Sequence, residues 1–227
     1  YLNENLGLGL SNTTYVAGAL LAALLVVQFR LNRYVPGVYW AVVVVISVFG
    51  TLITDNLTDR YDVPLTTSTT VFSIVLAIVF AVWWGFERTL SIHTIFTTRR
   101  EGFYWLAILF TFALGTAAGD LTAEKFSLGY GVSIAIFGGM IAAVTIAYYA
   151  FKLNAVLAFW LAYILTRPLG ASIGDGLSQS QHAGGLGLGT TDTSYVFLGC
   201  ILALVTYLTI SRRDQTPPTP APDVAPS

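Results

Sequence analysis

Long apolar runs alternate with short polar breaks along the whole chain. Seven such runs stand out, at roughly residues 13–29, 38–54, 70–86, 103–119, 131–150, 154–174 and 194–211. At about 1.5 Å of rise per helical residue, each reaches across, or nearly across, a hydrocarbon layer of about 30 Å. The runs are continuous, whereas the strands of a membrane barrel alternate over ~10 residues. The pattern therefore predicts an all-α, polytopic transmembrane helix bundle over residues 1–213. Residues 214–227 hold five of the eight prolines and no apolar run, which predicts a disordered Pro-rich tail.

Composition sharpens this reading. Of 227 residues, 55% are hydrophobic and 10% charged, against about 25% charged in a soluble domain. The net charge of −1 provides no basic footprint for nucleic acid. A single cysteine, Cys200, excludes a disulfide framework and a cysteine-based zinc site. The basic residues are distributed unevenly. Arg30, Arg33, Arg88, Arg99, Arg100, Lys152, Arg212 and Arg213 fall at one end of the bundle, and Arg60 and Lys125 at the other. The excess of Lys and Arg marks the cytoplasmic side. It predicts a multi-pass protein of the bacterial cytoplasmic (inner) membrane with its C-terminal tail inside. The outer side then carries Glu4, Asp55, Asp59, Asp62, Asp120, Glu124, Asp175 and Asp192 and is acidic.

An internal repeat runs through the even-numbered spans. Tyr39-Trp40 precedes Gly50 and Asp55, Tyr104-Trp105 precedes Gly115 and Asp120, and Phe159-Trp160 precedes Gly170 and Asp175. In each copy the Trp lies 15 residues before the Asp and the Gly five before it. Four residues beyond the Asp come Asp59, Glu124 and Gln179. Matches at fixed offsets indicate duplication. Each unit contains two spans, so all copies share one orientation and are parallel, unlike the inverted repeats of many transporters. Tyr1-Leu2-Asn3-Glu4 aligns with Asn56-Leu57-Thr58-Asp59. That alignment leads us to expect a further helix ahead of residue 1, and eight helices in four repeats in the complete protein.

On this Trp/Gly/Asp pattern, and on stretches such as Thr166-Arg-Pro-Leu-Gly-Ala-Ser-Ile-Gly-Asp175, the chain resembles a bacterial family of integral membrane proteins. Its members are built from four tandem two-helix repeats of unknown function. The family often carries the label "membrane-anchored protein predicted to be involved in regulation of amylopullulanase". The resemblance covers residues 1 to about 213, departs from the family in lacking a first helix, and brings no established reaction or ligand.

Three sets of residues could carry chemistry. Trp40, Trp105 and Trp160 sit beside basic inner loops, where an indole suits the membrane interface as an anchor. The pairs Gly50 and Thr54, Gly115 and Gly119, and Gly170 and Gly174 form a small-x3-small pattern that lets helix backbones approach closely. Asp55, Asp120 and Asp175 lie about 22 Å above the Trp level. They are either solvated helix ends or a ring of carboxylates that binds a cation or relays protons. Arg167 breaks the repeat, since its counterparts are Ser47 and Phe112. Seven residues past Trp160 it lies about 10 Å into its span, beside Pro168, and a guanidinium there needs a carboxylate or carbonyl partner unless it snorkels to the inner face. Pro168 itself is expected to kink the helix.

Other chemistries are not expected. His93 and His182 lie in loops on opposite sides, the last spans contain no lysine for a retinal Schiff base, and the Gly-rich segment 183–189 lacks the strand and Lys of a phosphate cradle. No nucleophile–base set appears, so neither an enzyme nor a cofactor is expected. Two classes remain: a transporter or channel for a small cation or other small solute, using the repeated Asp ends, and a non-transporting membrane-anchored scaffold or regulator. The partner expected in either case is the lipid bilayer.

Overall fold

The computed structural model describes residues 9–31, 33–125 and 129–211. Seven helices account for most of them: α1 (Gly9–Arg30), α2 (Pro36–Asp55), α3 (Leu65–Glu87), α4 (Thr98–Asp120), α5 (Gly129–Phe151), α6 (Ala155–Ser178) and α7 (Thr190–Ser211). All seven are long and apolar enough to cross a membrane, and no strand occurs among the described residues. The chain is a multi-pass, all-α membrane bundle. Most of the apolar runs are extended by a few residues at one or both ends, because backbone groups leaving the lipid stay paired most easily by continuing the helix. Glu4 and the Pro-rich tail lie outside the described residues.

Local chemistry sets the helix starts. Pro36 occupies the first turn of α2, where its missing N–H is not needed. Thr97 caps α4 by accepting from the Arg100 N–H, and Asn154 caps α6 by accepting from the Val156 and Leu157 N–H groups. At their far ends α2 and α4 widen into single π-helical turns, Asn56–Arg60 and Leu121–Lys125. Asp55 and Asp120 are therefore one turn short of the physical helix end. α6 runs through Pro168 without interruption.

The even helices are parallel to one another and antiparallel to the odd ones. The Tyr39 and Tyr104 hydroxyls meet at 2.5 Å and those of Thr51 and Thr116 at 3.2 Å, matching equal heights on α2 and α4. Asn56, just past α2, bonds to Thr14 near the start of α1. α4 is the centre, packed on both α2 and α6. The odd helices form an outer layer in which α1 packs on α2, α3 on α4, and α5 on α6. α1, α3 and α5 thus each lie against the even helix that follows, which belongs to the next sequence repeat, while α7 touches α2 and α6.

At the Trp end the bundle closes with an aromatic core. Trp83 stacks on Phe103 and meets Trp160 edge-on at 5.8 Å, and Tyr104 lies 6.2 Å from Trp160. Trp105 and Trp160 are each 4% exposed, so they are packing residues inside the protein and not lipid-facing anchors. Their polar edges are satisfied internally: Trp160 Nε1 donates to the Leu90 carbonyl at 2.9 Å and Trp105 Nε1 to Glu101 at 3.3 Å. Trp40 is half-buried, with its Nε1 inside the protein.

Candidate functional site

The small-residue pattern positions the even helices. A Cβ on Gly50 would stand 2.8 Å from Phe112 Cβ, and one on Gly115 would stand 2.5 Å from Arg167 Cβ and collide with Arg167 Cγ. Phe112 and Arg167 occupy equivalent places in their repeats, so the two seams are copies of one packing arrangement. Thr54 is 1% exposed and donates to the Ala113 carbonyl at 3.0 Å across the α2–α4 seam. Gly119 makes ordinary contact with Ala171 Cβ at 3.4 Å. The third copy departs from expectation. Nothing lies within 4 Å of a Cβ on Gly170 or Gly174, because no even helix packs beyond α6. Those two glycines are not packing positions in this structure. Gly176 takes that part instead, against Tyr130 Cβ of α5 at 3.3 Å.

These seams bring Asp55, Asp120 and Asp175 together. All three are half-buried and line one cavity of about 250 Å³ at the end opposite the aromatic core, with Thr58, Asp59, Leu65 and Gln179. Among the described residues no three His, Cys, Asp or Glu side chains stand close enough to hold one metal ion jointly. The carboxylates thus surround a space large enough for several waters and do not converge on a point. Asp59 and Gln179, four residues past their Asp, are exposed. They line the same cavity because the helices continue for another turn, and the constant offset in the repeat was the available signal. The side chain of Glu124, the third member of that set, lies outside the described residues.

Arg167 points inward. Its Nη2 donates to the Thr51 hydroxyl at 2.6 Å and reaches the Ser47 carbonyl at 3.5 Å, both on α2, and its guanidinium stacks over the Phe112 ring at 4.8 Å. The partners are thus a hydroxyl and a carbonyl of another repeat, and the carbonyl is not one freed by Pro168. Thr51 also bonds to Thr116, so one hydroxyl joins α2, α4 and α6. Asp120, Asp175 and Asp55 all act on the guanidinium electrostatically. Asp175 is eight residues further along the same helix, about 12 Å above it. Tyr163, one turn below, is within electrostatic reach of Arg167 and of Tyr39. A file of polar groups therefore descends from the carboxylates through Thr51, Thr116 and Arg167 to the tyrosines of the aromatic core.

Sequence comparison bears on the repeats. A family model described as Repeat of Unknown Function (DUF347) matches residues 38–89, 103–154 and 158–214, covering each of the three Trp-to-Asp helices with the helix that follows. No curated protein and no solved structure matches the chain.

Proposed function

We propose a function from the premise that this chain belongs to the DUF347 repeat family: it moves a small cation across the membrane, taken up at the three-carboxylate cavity. The observation that carries this reading is the convergence of Asp55, Asp120 and Asp175, one from each repeat, on a single cavity. An ionisable group held within a span is costly unless it has a use, and a threefold repetition multiplies the cost. Spacing too wide for joint ligation suits a proton or a cation that keeps its water. Acidic walls raise the local concentration of such a cargo.

Arg167 adds a fixed positive charge to the scheme. A cation entering among the carboxylates competes with the guanidinium for the same negative charge. Its bonds to Thr51 and Ser47 hold the guanidinium on α2, so this competition sets how tightly the cavity keeps its cargo. The excess of basic residues at the aromatic end supports a topology with that end in the cytoplasm and the carboxylate cavity facing outward from a bacterial inner membrane. The cargo is small and no cofactor takes part.

The test is reconstitution in liposomes with a panel of ions and a pH-sensitive dye. Flux through the parent that Asp120→Asn abolishes is the expected result. Absence of flux for every ion, with correctly folded protein in the bilayer, would overturn transport and leave a scaffold role.

A further inference from the structure

A second recess lies at the other end of the molecule. The backbones of α3 and α6 stand apart there, and the gap is a groove of about 540 Å³. Phe80 and Trp84 of α3 form one wall, Leu157 and Leu161 of α6 the other, and Trp160 the floor. Trp84, Leu157 and Leu161 are exposed on the outside of the bundle, so the groove opens towards lipid. The Trp160 Nε1 is already engaged by the Leu90 carbonyl, which leaves the floor apolar.

The mouth of this groove is basic. Arg88 terminates α3 in the left-handed conformation, φ 56°, and its guanidinium stacks over the Trp84 ring at 5.2 Å. The neighbouring carboxylate is unavailable to it: Glu87 is taken by Arg99 at 2.5 Å and by Arg100 at 2.6 Å. Among the described residues Arg88 has no carboxylate partner. An apolar, lipid-facing slot capped by a cation that no described carboxylate neutralises complements a molecule with a hydrocarbon chain and an anionic head.

We infer that the α3–α6 groove is a binding site for an anionic phospholipid, with an acyl chain between the helices and the phosphate on Arg88. Basic pockets between spans at the inner membrane face bind anionic head groups for this reason. The site is separate from the carboxylate cavity and does not depend on the transport reading.

The experiment is native mass spectrometry of the full chain in detergent, titrated with phosphatidylglycerol and phosphatidylcholine of identical acyl chains. The parent should retain phosphatidylglycerol preferentially. Arg88→Gln should lower that preference about fivefold, the worth of one basic side chain at an anionic lipid surface, while phosphatidylcholine binding stays unchanged. Arg33→Gln, a basic residue of another inner loop, should keep the preference. Equal loss in both variants, or no preference in the parent, would reduce the effect to general surface charge and overturn the site. Displacement of phosphatidylglycerol by millimolar inorganic phosphate would show that the head-group pocket serves a free anion, and would overturn the lipid assignment.

Discussion

Gly115→Ala tests the packing that assembles the carboxylate cavity. The added methyl would stand 2.5 Å from Arg167 Cβ and 3.2 Å from Pro168 Cδ, where carbon atoms prefer about 3.5–4.0 Å. Arg167 Cβ is fixed to the α6 backbone and cannot rotate away, and Pro168 is equally rigid. Relief requires α4 and α6 to part by about 1 Å, or α6 to turn and carry the guanidinium away from Thr51. Overpacking of this kind costs about 1–3 kcal/mol, offset by about 1 kcal/mol for replacing a helical glycine with alanine. The expected net loss is about 0–2 kcal/mol, towards the upper end because both neighbours are rigid. Gly170→Ala provides the comparison, because its methyl meets nothing and only the favourable helix term, about 1 kcal/mol, remains. Melting in mild detergent, followed by size-exclusion recovery after heating, should rank Gly115→Ala lowest. Gly50→Ala, with its contact at 2.8 Å, should come next, then Gly119→Ala at 3.4 Å, with Gly170→Ala at or above the parent. A Gly115→Ala protein as stable as the parent would refute the close α4–α6 seam, and with it the common cavity.

Two further outcomes follow from Arg167 and from the charge distribution. Arg167→Leu removes the bonds to Thr51 and Ser47 and a cation on which three carboxylates act. It should cost about 1.5–3 kcal/mol in the same assay, whereas Arg60→Leu, in the exposed π-turn, should cost far less; equal melting temperatures would mean that the guanidinium snorkels to the inner face. A cysteine placed at residue 94 in a Cys200→Ala background should react with an impermeant thiol reagent only when the cytoplasmic side is open, and labelling from the outside would invert the proposed topology.

Much of this molecule was legible from local pattern alone. The seven apolar runs predict the seven helices to within a few residues at each end, because in lipid an apolar stretch long enough to cross must pair its backbone internally. The Trp, Gly and Asp offsets predict that the three even spans share heights, because a fixed residue separation on a helix is a fixed distance. The inward placement of Arg167 is legible for a related reason: a guanidinium midway along a span has few other places to go.

The tertiary structure decided what sequence spacing leaves open, namely which surface each face meets. Packing assigned α1, α3 and α5 to the even helix of the following repeat, so the unit of sequence is not the unit of contact. The three glycine pairs read alike, yet Gly50 and Gly115 close seams while Gly170 faces none, since close approach needs a partner helix as well as a small residue. Trp105 and Trp160 have the residue type and depth of interfacial anchors, and only their neighbours turned them into core. Asp59 and Gln179 joined the cavity because the helices extend one turn past the Asp, an extension set by backbone geometry beyond the apolar runs. Hydrophobic length and repeat offsets are properties of a single chain segment, and so the sequence by itself determined the spans and their register. Contact between repeats depends on all the helices at once, and that is why only the folded bundle determined the site.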